Sequence, residues 1–379
     1  MATVLKHRWS LGHNYLAGIT AEAWWRLLRE NRFAVDPAYW HRALFITALG
    51  CMNSWYRRRE ERLWGEAVEA AELAGPPLFV LGHWRSGTTH LHNLLALDDR
   101  FAFANTYQVV NPYTFLTTEA FNTRRFRALL PDTRPMDNVA LSFEAPQEDE
   151  FGPALACFRS LYPGISFPRN VAHYERYLTF RGVPRAEVEE WQAAFRWFLR
   201  KLTVKHGRPL VLKSPPHTAR VRLLLEMFPD ARFVHIHRDP YTVFRSFQHY
   251  YDTAGWYTYL QRPDLDGLDD LILERYRVMY DAYFEERELI PAGRLHEVAF
   301  ADLDADPMGQ MALLYERLGL PGFEDLEPKL RGYVESLRGY RKNRYEAIPR
   351  EVLDRVGTAW RRSFDEWGYP LDPSEPAAP

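Results

Sequence analysis

The sequence predicts an α/β fold: a parallel sheet flanked by helices, with a helical N-terminal extension. Three observations carry this expectation. From Pro76 onward, short apolar runs alternate with stretches of helical spacing. Each run ends in a turn rich in glycine, proline or basic residues. Before Pro76 the spacing is helical throughout. Strands alternating with helices imply crossovers and a sheet covered on both faces.

Taken in order, "TAEAWWRLLREN" offers Thr20 as an N-cap, and the long stretch from Asp36 runs with helical spacing to Gly75. Residues 1–75 therefore read as a helical segment packed on the core, 76–370 as the α/β domain and 371–379 as a flexible tail. "PLFVLG", "RPLVLK" and "ARFVHIHR" read as three buried strands. Helices are expected over "TTHLHNLLALDD", "PPHTARVRLLLEMFPD" and "DPYTVFRSFQHYY". The second of these places Val221, Leu224, Leu225 and Phe228 on one face. "DLILERYRVMYDAYFEEREL" and "DPMGQMALLYERLGL" read as later amphipathic helices. Asp306 caps the latter, Pro307 starts it and Gly319 ends it.

Composition narrows the class. The 379 residues carry 48 basic and 50 acidic side chains, a net charge of −2 that shows no pull towards nucleic acid. Aromatic residues make up 15%, enough to fill a core and still line an apolar ligand site. Cys51 and Cys157 stand alone without metal-ligand spacing, which points to a reducing, cytoplasmic setting. The N-terminus lacks an apolar signal core. "ALFITALGCMNSW" (Ala43 to Trp55) is shorter than the ~20 residues of a spanning helix, and reads as a core helix in preference to an interfacial membrane segment.

The stretch "FVLGHWRSGTTHLHNLL" is the most informative. Gly82 and Gly87 bracket a turn between strand and helix, the layout of a phosphate-binding loop, which makes the sheet P-loop-like. Glycines let the backbone aim N–H groups inward, and the helix start adds partial positive charge. The lysine of an NTPase loop is missing: Thr88 follows Gly87, and the cation is Arg85, inside the loop. A terminal phosphoryl group carries about two charges and is handled with that lysine and Mg²⁺. A sulfuryl group carries about one, which arginine, hydroxyls and backbone donors can hold. The loop therefore suits a phosphosulfate better than a triphosphate.

These residues resemble the sulfotransferases that use 3′-phosphoadenosine 5′-phosphosulfate (PAPS), with likeness to bacterial members related to the tyrosylprotein sulfotransferases. The likeness runs from about Pro76 to Tyr345. "WRSGTT" resembles the family's 5′-phosphosulfate loop, which implies that Arg85, Ser86, Gly87, Thr88 and Thr89 hold the 5′-phosphate and sulfuryl oxygens. "HRDPYTVFRSF" resembles its 3′-phosphate site, with Arg238 and, eight residues on, Ser246. Lys213, at the end of "LVLK", matches a lysine that donates to the bridging oxygen or the sulfuryl group as the bond breaks. "RKNRY", with Lys342, resembles a late basic segment that closes over the nucleotide. "FADLDADPMGQMALLYERLGL" resembles the family's late helix.

The resemblance leaves the general base open. Tyrosylprotein sulfotransferases carry a glutamate downstream of the loop arginine, but "FAFANTYQVV" has no acid there. Cytosolic members use a histidine close behind the lysine; here His217 lies four residues after Lys213. The candidates are Glu148, Asp149 and Glu150 of the "QEDE" run, then His217, then His83; Glu144 and His90 lie nearby in sequence. His235 and His237 share one strand face and, with no third ligand placed, read as core histidines. The implied reaction is direct in-line sulfuryl transfer from PAPS, without a metal, to a small-molecule or lipid alcohol. No nucleic-acid partner is expected, membrane contact is not favoured, and oligomeric state is open. A kinase or NTPase with a degenerate loop and a non-catalytic nucleotide-binding protein are the competing readings.

Overall fold

The computed structural model describes residues 5–126, 142–339 and 348–372. Four parallel strands form one sheet in the order β2-β1-β3-β4: β1 is Leu78–Leu81, β2 Val211–Lys213, β3 Arg232–His237 and β4 Leu295–Ala299. Side chains alternate between the faces along each strand. Phe79, Leu81, Leu212 and Phe233 pack with Phe195, Phe198, Leu224 and Tyr283 on one side. Leu78, Val80, Val211, Val234 and Ile236 pack with Leu91, Leu94, Met311 and Leu314 on the other. With both faces covered, the strands read as continuous apolar runs, which is why three of them are legible.

The fourth strand, "LHEVA", departs from the expectation. It pairs with β3 at the sheet edge and is only partly buried, so His296 and Glu297 interrupt the apolar signal. The helix expected to begin at Pro215 also divides. Pro215–Ala219 forms a 3₁₀ turn, and the α-helix runs Val221–Met227 after Arg220 leaves helical geometry at φ −133°. Asp306 caps the Pro307–Arg317 helix by accepting from the Gly309 N–H at 2.9 Å.

Two helices dominate the N-terminal layer, α1 (Ala21–Glu30) and α2 (Trp40–Ala70). Thr20 caps α1 by accepting from the Ala23 N–H at 3.3 Å. Tyr15, Leu16, Ile19, Trp24, Leu27, Tyr39 and Ile46 form a second core with Leu155, Phe158, Leu161, Tyr162 and Trp256. Burying such side chains contributes about 1.5–3 kcal/mol each. Arg42 of α2 is enclosed there and donates to the carbonyls of Ser10 (3.1 Å), His7 (2.6 Å), Trp256 (2.9 Å) and Tyr259 (3.0 Å). Lys201 and Glu60 form a buried ion pair at 2.5 Å between α2 and the Arg185–His206 helix, and burial lowers the Lys201 pKa to about 8.

The pairing register puts the site at the carboxyl edge. Val80 lies beside Lys213 and Leu81 beside His235. The loop after β1, the end of β2 and the start of the turn after β3 therefore meet within about one residue step, as ligand sites in open parallel sheets do.

Candidate active site

The loop after β1 is shaped by two close backbone approaches. Gly82 has φ +140°, and a Cβ there would stand 2.5 Å from the Ile236 carbonyl oxygen. Gly87 has φ +103°, and its Cβ would stand 2.3 Å from the Phe300 ring. No other residue fits either place without displacing a neighbour. Arg85, between them, holds φ +72°, an uncommon conformation for a residue with a side chain. The loop is tied down from below. The Gly82 N–H donates to Thr218 Oγ1 (2.8 Å), the His83 N–H to the Tyr280 hydroxyl (3.1 Å), and Ser86 Oγ to the His83 carbonyl (2.7 Å). Helix α3 (Thr88–Leu95) then starts, and its first N–H groups have no partner within the helix.

The two phosphate-site candidates adjoin. Arg85 Nε donates to Ser246 Oγ at 2.8 Å, and Arg238 donates to the Arg85 carbonyl at 3.3 Å. The Arg238 guanidinium also lies 4.4 Å from the centre of the Phe300 ring, on which Gly87 rests. Asp239 does not pair with its neighbouring arginine; it caps the Pro240–Thr253 helix by accepting from the Thr242 N–H at 2.8 Å. Arg85, Arg238 and Ser246 are thus joined by hydrogen bonds, Ser86 braces the loop from within, and Gly87, Thr88 and Thr89 lead into α3.

The "QEDE" run separates into three environments. Glu148 keeps 15% of its side chain exposed; Lys213 Nζ stands 3.2 Å from one oxygen and the Tyr162 hydroxyl donates to the other. Asp149 is enclosed, 2.6 Å from His217 Nε2. Burial opposes its charge, yet the His217 imidazole holds its pKa below the usual carboxylate value. Glu150 is enclosed with Arg220 at 2.9 Å and Trp191 Nε1 at 3.3 Å, while its N–H donates to Ser214 Oγ at 2.9 Å. Consecutive residues on a turning chain point in different directions. Two of these carboxylates are enclosed, each bonded through one oxygen to a buried partner, and one is partly exposed beside Lys213.

The histidines lie inward. His83 is buried, its Nδ1–H donates to the Trp84 carbonyl at 2.7 Å, and burial lowers its pKa to about 3. His217 packs against Phe79 and Phe195 with no exposed surface. His235 stacks on Tyr283 at 4.2 Å and His237 on Trp367 at 4.7 Å. Among the described residues no cluster of three or more candidate ligands could hold a metal ion. Glu144 is exposed, whereas His90 is partly buried on α3. Lys342 and the rest of "RKNRY" lie outside the described residues.

Tyr162 and Phe300 escape sequence reasoning. Tyr162 lies outside the quoted motifs, and Phe300 opens the late segment "FADLDADPMGQMALLYERLGL" without a chemical feature that singles it out. An aromatic line reaches the carboxylate from the N-terminal layer: Tyr15 packs on Phe151 (5.5 Å), and Phe151 stacks on Tyr162 (4.5 Å).

The model of the Sulfotransferase family matches residues 76–325. The chain belongs to the sulfotransferase family. This sulfotransferase is 38% identical over 360 residues to omega-hydroxy-beta-dihydromenaquinone-9 sulfotransferase Stf3 of Mycobacterium bovis and of Mycobacterium tuberculosis, covering 95% of this chain and 92% of theirs. Its fold is shared with two solved structures. Sulfotransferase STF9 of Mycobacterium avium is 20% identical, with a TM-score of 0.67 over 92% of this chain and 96% of that one. Sulfotransferase STF1 of Mycobacterium tuberculosis is 17% identical, with a TM-score of 0.60 over 91% and 87%. The protein is therefore an enzyme that moves a sulfuryl group from a sulfate donor to a hydroxyl, and the kinase and non-catalytic readings fall away.

Proposed function

We propose that this sulfotransferase transfers the sulfuryl group of PAPS directly to the hydroxyl of a lipid alcohol, with Glu148 as the general base. The observation that carries the assignment is the contrast within "QEDE": Glu148 stands at the open edge 3.2 Å from Lys213, while Asp149 and Glu150 are enclosed by His217 and Arg220. PAPS supplies the activated sulfuryl group. The residues around the loop fit its charge. Gly82 and Gly87 let the loop pack tightly on Ile236 and Phe300. Arg85, Thr88 and Thr89 are placed to offer donors to a 5′-phosphosulfate, and Ser86 holds the loop in shape through the His83 carbonyl. Arg238 and Ser246, one hydrogen bond away, suit the 3′-phosphate.

In this reading Glu148 takes the proton of the attacking hydroxyl. Tyr162 and Lys213 fix the orientation of its carboxylate. Lys213, at the strand end, is the cation placed to donate to the departing phosphate oxygen; a preorganised donor of this kind is worth roughly 10²–10³ in rate. Asp149 with His217, and Glu150 with Arg220, are positioning pairs. Lys342 is retained as a further donor to the nucleotide.

The acceptor class is supported by the curated relatives, whose name specifies a hydroxylated menaquinone derivative, and by the aromatic wall of Tyr15, Phe151 and Tyr162 beside Glu148. Residues 76–370 form the catalytic unit in this proposal, with 1–75 as a layer upon it. Two unpaired cysteines, Cys51 and Cys157, support a cytoplasmic setting. The test is sulfate transfer from labelled PAPS into hydroxylated isoprenoid lipids, with thermal stabilisation by adenosine 3′,5′-bisphosphate compared with ADP. Product on the terminal hydroxyl and a larger shift with the bisphosphate are expected. Equal shifts with both nucleotides would end the two-phosphate assignment.

A further inference from the structure

Helix α2 is built inside out. The side chains it turns to the protein are mostly polar or small: Arg42, Gly50, Asn53, Ser54 and Glu60 are buried, with Ile46 the large apolar exception in this stretch. The residues it turns to solvent include Trp40 (58% exposed), Leu44 (71%), Met52 (48%) and Trp55 (59%). At 100° per residue these positions, with Ala48 and Cys51 between them, fall on one face about 24 Å long. Trp9, 68% exposed, adds its ring beside His41 at 4.9 Å. The same face continues past Trp55 as Arg58, Arg59 and Arg62, all exposed, before Glu66 and Glu69 follow at the far end; Arg58 also stands 3.4 Å from Glu22. Soluble monomers rarely expose a contiguous apolar surface of this kind without a partner.

From this arrangement we infer that α2 lies in the plane of an anionic lipid bilayer, with Trp40, Leu44, Met52 and Trp55 in the headgroup–acyl boundary and Arg58, Arg59 and Arg62 on lipid phosphates. The pattern of apolar and tryptophan residues followed by arginine is that of an interfacial helix. No helix of the described residues is long and apolar enough to cross a membrane, so the helix lies on the bilayer and does not span it. The occupant is lipid and not a second protein copy because the basic end of the stripe needs a dense anionic partner, and this chain is nearly neutral overall. The inner side of α2 leads to the site. Asn53 donates to the carbonyls of Ala17 and Ile19, holding the turn that carries Tyr15, the first ring of the aromatic line to Glu148. Docking therefore deepens the lipid-acceptor reading and rests on it for its purpose, though not for its geometry.

The full-length protein is tested by co-sedimentation with vesicles of phosphatidylcholine alone and of phosphatidylcholine with phosphatidylglycerol. Binding to the anionic vesicles is expected, weakened by salt. The triple variant Arg58→Gln, Arg59→Gln, Arg62→Gln should lose about fivefold per arginine, roughly a hundredfold together. Leu44→Ser, Met52→Ser, Trp55→Ser should lose at least about tenfold. Both variants should keep the wild-type thermal shift with adenosine 3′,5′-bisphosphate, which separates docking from the donor site. Equal sedimentation of wild type and variants, or none by the wild type, overturns the inference. So does light scattering that finds a dimer dissolved by the apolar triple, since the face would then belong to a second copy. Vesicle binding that tracks the variants in a protein transferring no sulfate to lipid alcohols would support docking and refute the acceptor class instead.

Discussion

Replacing the three adjacent acids one at a time separates chemistry from architecture. Glu148→Gln keeps shape and volume but removes the basic oxygen, and loss of a general base generally costs about 10²–10⁴ in rate. Its stability cost should be smaller than at Glu150. Glu148 is 15% exposed, and although Lys213 beside it is buried, the amide oxygen still accepts from Lys213 while the amide NH₂ can donate to the Tyr162 hydroxyl, so about 1–3 kcal/mol is at stake. Glu150→Gln does the opposite. Glu150 and Arg220 are both fully enclosed, and stripping the charge from one leaves a buried guanidinium uncompensated, a loss of about 3–5 kcal/mol. At about 1.3 °C per kcal/mol for a chain of this size, the melting temperature should fall by roughly 4–6 °C. Asp149→Asn should lie between the two, because the amide can still bond His217. The assay pairs calorimetric melting with single-turnover sulfate transfer at saturating PAPS. Glu148→Gln should melt closer to wild type than Glu150→Gln does, with an intact response to adenosine 3′,5′-bisphosphate and little transfer. Transfer by Glu148→Gln within threefold of wild type would refute the assignment, as would an inactive Glu150→Gln with unchanged melting.

Other outcomes follow from the same geometry. Arg85→Ala and Arg238→Ala should each weaken adenosine 3′,5′-bisphosphate binding by about 10–100-fold, the value of one charge-assisted contact, as read by titration calorimetry; unchanged affinity in both would remove them from the site. Gly87→Ala should cost about 1–3 kcal/mol and weaken nucleotide binding, because a Cβ displaces the ring under Arg238; a melting curve like wild type would show that the loop has room. Stability should fall on acidification. His83, His92 and His237 have folded pKa values lowered to about 3 by burial, so between pH 6.5 and 3 the unfolded chain binds the extra protons. Their contribution is complete above the unfolded value and is lost as pH drops, approaching about 1.4 kcal/mol per pH unit for each. Urea unfolding at pH 7 and 5.5 measures it, and a flat profile would contradict the burial.

Much of this site is written in local sequence. The loop from Gly82 to Thr89 is contiguous, its glycines are demanded by backbone approach, and its neighbours are strongly apolar, so strand, turn and helix are legible together. Arg238 and Ser246 are legible for the same reason, being fixed by one strand end and two helical turns. The edge strand was not, because half-buried "LHEVA" needs no continuous apolar run. The fate of "QEDE" was not legible either. Whether a carboxylate meets Arg220, His217 or solvent depends on residues more than 60 positions away, and three adjacent acids look alike until those partners arrive. α2 misled in a different way. Its hydrophobicity is real, but a periodicity count does not tell which side of a helix faces the protein when both sides carry apolar residues.

The clasp made by Arg42 has a practical consequence for exchanging parts between relatives. One guanidinium saturates main-chain oxygens at Trp256 and Tyr259 on one side and at His7 and Ser10 on the other. A chimera that brings in a foreign first segment without its matching 256–259 turn would strand those oxygens in a dry seam. Leading segment and turn should therefore be inherited as a linked pair, even though some two hundred residues of chain separate them.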